Sequence, residues 1–296
     1  MAAQSRPRRS VLYMPGANVR AMEKARALPA DALILDLEDA VAPDAKETAR
    51  ANVATAIAYG GYGRRELIVR VNGIATPWFH ADIQAVAKMG VDAVLLPKVE
   101  SADTVRQAEA LLNEAGAPSK LALWCMMETP LAMLHAEEIA SSSARMGALV
   151  MGTSDLTKDL HALHTRDRLA MQTSFGLSLL AARAFGLAIL DGVYLDLQDD
   201  EGFAESCRQG RLLGFDGKTL IHPKTIDAAN AAFAPSTEEI EWSRRIITAH
   251  AACLASGKGV VLVDGKLIEN LHVAEARRVV DLGLQIAALE RAACLP

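Results

Sequence analysis

Eight short apolar runs, each followed by a stretch of helical patterning, constrain this chain more than anything else in it. They fall at residues 10–14, 33–39, 67–72, 94–99, 121–128, 148–152, 187–191 and 217–223. Near-continuous Leu/Ile/Val runs of this length read as strands buried on both faces, as a parallel sheet requires. The segments between them carry helix signals. Asn18 stands at a cap position, the Ala-rich stretch 46–59 is stopped by Gly60-Gly61, and Pro130 opens the helix after the fifth run. Strand–helix alternation specifies an α/β fold. Eight units within residues 10–230 match a (β/α)8 TIM barrel, whose usual size is ~250 residues. A doubly wound open sheet is the alternative. No Gly-x-Gly-x-x-Gly follows the first run, so a dinucleotide site finds no support.

No repeat, low-complexity tract or linker divides residues 10–230. The expected organisation is a catalytic barrel over 1–235 and a C-terminal helical extension over 236–296. Within the extension, helices are expected at 238–254 and 274–288, with a hairpin at 260–267 turning at Asp264-Gly265. The extension reads as a lid, an oligomer contact, or both. Aromatics make up only 4%, so the core must be Ala, Leu, Val, Ile and Met. A net charge of -5 gives no reason to expect nucleic-acid binding. Arg6, Arg8 and Arg9 form a short basic cluster, either a solvated tail or a phosphate contact. The cysteines, Cys125, Cys207, Cys253 and Cys294, show no Cys-x-x-Cys spacing, which argues against a zinc site or disulfide frame and for a reducing compartment. No run approaches the ~18 apolar residues of a membrane span, and the apolar stretch 11–14 is too short for a signal peptide. A soluble, cytoplasmic protein is expected.

In a barrel the strand ends converge on one face, where catalysis occurs. The charged residues at those ends are Glu38, Asp39, Arg70, Lys98, Glu128 and Asp155, with His222 joining from the eighth run. Glu128 and Asp155 come from neighbouring strands and are expected to share a cation. One or two carboxylates with waters and substrate suit Mg²⁺. Arg70 offers a planar fork for a substrate carboxylate. Each residue also has a plainer role. Glu38 and Asp39 could hold a loop or pair with Arg70 or Lys46, and Arg70 could be a structural ion-pair partner. Glu128 could serve the next helix, Asp155 could be an N-cap, and Lys98 could bridge strand-end acids. His222 is evenly balanced between the two kinds of role. His161 and His164 read as surface, and Met126-Met127 as core.

Seven segments carry a family resemblance: Leu12-Tyr13-Met14-Pro15-Gly16-Ala17-Asn18, Leu35-Asp36-Leu37-Glu38-Asp39-Ala40-Val41-Ala42-Pro43, Val69-Arg70-Val71-Asn72, Leu96-Pro97-Lys98-Val99, Met127-Glu128-Thr129-Pro130, Gly152-Thr153-Ser154-Asp155-Leu156 and Gly217-Lys218-Thr219-Leu220-Ile221-His222-Pro223. In this order they resemble the citrate lyase β-subunit-like family of the HpcH/HpaI aldolase superfamily, with its malyl-CoA, β-methylmalyl-CoA and citramalyl-CoA lyases. The resemblance implies a barrel with a C-terminal lid, assembled as a trimer or hexamer. It implies Mg²⁺ on Glu128 and Asp155, Arg70 binding the keto or hydroxy acid, and Glu38 and Asp39 positioning metal-bound water. Pro15, Gly16, Asn18 and Lys24 fall where the family contacts CoA. In the lid, many relatives read Asp-Gly-Lys-Met-Ile-Asp followed by Pro. Here Asp264-Gly265-Lys266-Leu267-Ile268-Glu269 is followed by Asn270-Leu271, so Glu269 replaces the final acid.

The implied activity is Mg²⁺-dependent carbon–carbon cleavage, or formation, of a 3-hydroxyacyl-CoA such as malyl-CoA or citramalyl-CoA. The products are acetyl-CoA and a 2-oxo acid, glyoxylate or pyruvate. Glu38, Asp39, Glu269 or a bound water takes the hydroxyl proton. The alternatives are a malyl-CoA thioesterase with the same metal and Arg70, a citrate lyase β subunit acting on an acyl-carrier thioester, and a binding or assembly subunit without turnover.

Overall fold

The computed structural model describes residues 6–255 and 260–293. They fall into two compact units, Arg8–Phe233, and Arg6–Pro7 together with the described residues from Ala234 on. In the first, eight strands close a barrel: β1 (Ser10–Pro15), β2 (Ala32–Asp36), β3 (Glu66–Arg70), β4 (Ala93–Leu96), β5 (Ala122–Met127), β6 (Met146–Met151), β7 (Ala188–Asp191) and β8 (Gly217–Leu220). Every neighbouring pair is parallel, including β1 with β8. All eight expected strands are present. β2 stops at Asp36 rather than running to residue 39. The Asp36 carboxylate accepts the N–H groups of Glu38 and Ala40 and turns the chain out of the ladder.

Period-two alternation divides the strands into an inner and an outer face. Val11, Ala32, Ile34, Ile68, Leu95, Trp124, Met126 and Val150 pack together inside the barrel. Their neighbours Leu12, Leu33, Leu35, Val69, Leu96, Leu123 and Leu149 belong to the outer layer with the helices. Both faces are therefore dry, which is why the runs are apolar throughout. Each fully buried large side chain contributes about 1.5–3 kcal/mol.

The barrel's N-terminal mouth is closed by ion pairs. Arg8 bonds both carboxylate oxygens of Glu66 at 2.6 and 2.8 Å, and its guanidinium lies 5.2 Å from the Trp124 ring centroid. Arg9 bonds both oxygens of buried Asp31 at 2.9 Å. Arg8 and Arg9 are thus staples of the barrel, at the opposite end from the converging strand ends, and not a solvated tail or a phosphate contact. Lys218, buried on β8, pairs with Asp191 of β7 at 2.8 Å, and Arg168 completes that cluster.

The second unit holds helices Thr237–Ala255 and Asn270–Ala293 with the antiparallel hairpin β9 (Val261–Val263) and β10 (Lys266–Ile268) between them. Ile246, Val263, Ile268, Val273 and Ala276 form its core. Asp264 and Gly265 both have positive φ, 47° and 77°, as a two-residue I′ turn demands. Cys125, Cys207 and Cys253 are buried, and Cys294 lies outside the described residues. Among the described residues no helix is long and apolar enough to cross a membrane.

Candidate active site

Asp36 and Arg70 are the last residues of adjacent strands and are paired in register. They share parity with Ile34 and Ile68, so both side chains point into the barrel. Arg70 donates from Nε and Nη2 to the two Asp36 oxygens at 2.7 and 2.6 Å. Its guanidinium carbon lies 5.0 Å from the Tyr13 ring centroid, within cation–π range. Burial opposes the guanidinium charge, but the Asp36 bond and charge outweigh it and hold Arg70 well above its ordinary pKa. Glu38 Oε2 lies 2.7 Å from Arg70 Nη1 without a hydrogen-bond geometry, and this buried oxygen has no hydrogen-bond partner. Asp39 is different. Its side chain is 67% exposed and reaches Nη1 only at 3.4 Å. The expected Glu38–Asp39 pair is therefore split, one acid facing in and the other facing solvent.

The Arg70 reading also needs correction. Its Nε–Nη2 edge is occupied by Asp36. An arginine has five N–H donors, so what remains for a ligand is the donors of the Nη1–Nη2 end beyond the one Asp36 takes from Nη2 and the one Asp39 takes from Nη1 at 3.4 Å. Asp36, to which the sequence reading gave no role, shapes this half of the site. The available signal was parity within β2: Asp36 is two residues after Ile34, so it shares the inner face.

Glu128 follows β5 and is almost fully buried. Its Oε1 accepts the Lys98 backbone N–H at 2.7 Å, and its Oε2 lies 3.8 Å from Lys98 Nζ. The same ammonium contacts Asp155. Lys98 therefore bridges strand-end acids, with its backbone in the left-handed region at φ 50°. One cationic group touches both carboxylates, so the two acids face a common point. Gly152 follows β6 against Glu128, and Gly152 N–H donates to Met127 O at 2.9 Å. Asp155 lies in the first turn of the helix Thr153–Asp159, and Gly152, not Asp155, is the capping position. Among the described residues no group of three or more His, Cys, Asp or Glu forms a metal cage. Two carboxylates with open coordination match the Mg²⁺ pattern.

The two halves sense each other. Burial raises the Glu38 carboxyl to about 7, with Arg70 opposing and the Asp39, Glu128 and Asp36 charges adding. Burial also raises Glu128, against the pull of Lys98 and Arg70. A carboxyl poised near neutrality with an unsatisfied oxygen is suited to accept a proton.

The other expected residues are placed as follows. Pro15 ends β1 and Gly16 follows it, its N–H donating to Asp36 O at 2.8 Å. Asn18 Oδ1 caps the helix Val19–Ala25, leaving its amide N–H donors unused by that cap. Lys24 is exposed in that helix's last turn. His222 caps the turn Pro223–Thr225, its Nδ1 accepting from Lys224 N–H. His161 and His164 are exposed. Glu269, in the second unit, is exposed at the start of the last helix, and its N–H donates to His272 Nδ1.

Residues 9–223, the span of the barrel, match the family model of HpcH/HpaI aldolase/citrate lyase. The chain belongs to this family. It is 51% identical over 288 residues to the (3S)-malyl-CoA thioesterase of Cereibacter sphaeroides (strain KD131 / KCTC 12085), covering 97% of this chain and 99% of that protein. It is 36% identical over 282 residues to the citrate lyase subunit beta of Leuconostoc mesenteroides subsp. cremoris, covering 94% and 93%. The crystal structure of CitE from Mycobacterium tuberculosis in complex with magnesium, acetoacetate and coenzyme A aligns with a TM-score of 0.75 and 28% identity, over 96% of this chain and 99% of that one.

Proposed function

We propose that this HpcH/HpaI family member hydrolyses a malyl-CoA-type thioester to a hydroxy diacid and free CoA, with a divalent cation as cofactor. The observation that carries this reading is the 51% identity, end to end, with a (3S)-malyl-CoA thioesterase. It reverses the order of the sequence-based expectations, placing hydrolysis ahead of carbon–carbon cleavage. Mg²⁺, present in the CitE complex, would be held by Glu128 and Asp155 and would supply Lewis-acid polarisation of substrate oxygens.

The side chains do the rest. The Nη1–Nη2 end of Arg70 binds the carboxylate of the malyl group. Glu38 takes a proton from the attacking water through Oε2, which has no hydrogen-bond partner but is ion-paired with Arg70. The carbon–sulfur bond breaks as the carbon–oxygen bond forms, and the thiol leaves with a proton. Preorganised charge on Arg70 stabilises the negative charge that develops near it. The CoA moiety is assigned to Pro15, Gly16, Asn18 and Lys24. A role for Glu269 in proton transfer, and assembly as a trimer or hexamer, rest on the resemblance alone.

Cleavage is the second reading, favoured by the family and by the citrate lyase relative. There Glu38 takes the hydroxyl proton of the same substrate. A product assay separates the two. Incubation with (3S)-malyl-CoA and Mg²⁺ should give malate and free CoA. Acetyl-CoA and glyoxylate, without malate, would overturn the thioesterase reading in favour of the lyase.

A further inference from the structure

We infer that Asp36 is the positioning residue of this site: it fixes the Arg70 guanidinium so that a substrate carboxylate meets only its Nη1–Nη2 end. The inference rests on the reading that Arg70 binds that carboxylate. Asp36 is 1% exposed and has no oxygen to offer a substrate. Its carboxylate accepts Arg70 Nε at 2.7 Å, Arg70 Nη2 at 2.6 Å, Glu38 N–H at 2.9 Å and Ala40 N–H at 3.1 Å. It acts through its neighbours.

Three groups then hold the guanidinium, with the exposed Asp39 Oδ2 accepting from Nη1 at a longer 3.4 Å. Asp36 takes its side edge, Tyr13 lies against its face at 5.0 Å, and Glu38 sits 2.7 Å from Nη1. A two-bond fork is a strong carboxylate geometry for an arginine. Here the protein fills that fork with its own acid, so a ligand must approach end-on. The backbones of Asp36 and Arg70 are register partners on adjacent strands, which gives the pair a rigid base. A flexible long side chain is thereby converted into a fixed receptor, and preorganisation of this kind lowers the cost of binding. Glu38 emerges two residues after Asp36, with its N–H bonded to the same carboxylate. The substrate-binding group and the proposed base are therefore referenced to one anchor.

A double-mutant cycle of Asp36→Asn and Arg70→Lys tests this. Asn keeps the shape and one acceptor oxygen, which retains the Glu38 N–H bond, but loses the charge and the two-oxygen grip on Arg70. Asp36→Asn should raise KM for malyl-CoA and lower kcat/KM by about 10²-fold. The double variant should be no worse than Arg70→Lys alone within about twofold, because coupled residues are not additive. Losses that multiply would overturn the inference. If Asp36→Asn does not fold, Asp36→Glu keeps the charge but lengthens the arm and displaces the guanidinium. An unchanged KM in that variant overturns the inference, and a raised KM supports it. The same cycle read as Kd for malate by calorimetry does not depend on which products form. Acetyl-CoA and glyoxylate as products would end the thioesterase reading alone, and multiplicative malate affinities would end this inference alone.

Discussion

Gly152→Ala reports directly on the placement of Glu128. A Cβ at Gly152 would lie 2.3 Å from Glu128 Cβ, 2.6 Å from its Oε2 and 3.1 Å from Met126 Cε. Gly152 has φ -97°, on the side that L-residues adopt, so backbone handedness costs nothing there. The whole effect is contact. Ordinary carbon contacts are about 3.5–4.0 Å, so the new methyl and the Glu128 stem must separate by more than 1 Å. Neither can yield by a rotamer change, because both Cβ atoms ride on backbone. Overpacking of this kind costs about 1–3 kcal/mol, which for a chain this size lowers the thermal midpoint by roughly 2–12 °C. A shift of about 1 Å in a metal-binding carboxylate costs on the order of 10²-fold in rate. Thermal melts, Mg²⁺ titration calorimetry and kcat/KM on malyl-CoA measure the three effects. Gly176→Ala is the control. Nothing lies within 4 Å of its Cβ, it sits inside the helix Gln172–Ala184, and it should stabilise by about 0.5–1 kcal/mol with turnover intact. Wild-type Mg²⁺ affinity and turnover in Gly152→Ala would refute the reasoning.

Glu38 should impose an acid limb on kcat/KM, with the rate rising through about pH 7 as its carboxylate form appears. Glu38→Gln should flatten that limb and cut the rate, and an unchanged profile would remove Glu38 as the base. The stability sign follows from the same shift. The folded value lies above the ordinary 4.5, so metal-free wild type should lose stability as pH rises from about 4.5 to about 7, a slope that denaturant melts of Glu38→Gln should lack. At the other end of the barrel, Asp31→Ala strips Arg9 of a buried carboxylate and should cost about 3–5 kcal/mol. Urea unfolding checks that cost, while kcat on malyl-CoA should stay within twofold.

The barrel was legible because its physics is local. Strands dry on both faces, such as Leu33 to Leu35, leave continuous apolar runs, and the Asp264-Gly265 turn states its own φ requirement. What escaped depends on long-range pairing. Arg8 and Arg9 look like a basic tail until Glu66 and Asp31, distant in sequence, are brought against them. Asp36 looks like the polar end of a strand until Arg70 arrives beside it. Glu38 and Asp39, adjacent in sequence, look like one functional pair, yet the turn after β2 largely buries the first and leaves the second exposed, though both reach Arg70 Nη1. Gly152 carries no signal of its own, since its role is the closeness of β6 to Glu128. His222 shows the converse, a strand-end histidine used as a turn cap.

The central claim is that Glu128 and Asp155 grip one divalent ion beside Arg70. Anomalous diffraction from crystals of the protein soaked in Mn²⁺, a hard cation standing in for Mg²⁺, tests it most directly. The account predicts a single strong peak within about 2.0–2.3 Å of a carboxylate oxygen of each acid, with the Lys98 ammonium displaced from between them. A peak elsewhere, or none at saturating Mn²⁺, would contradict it.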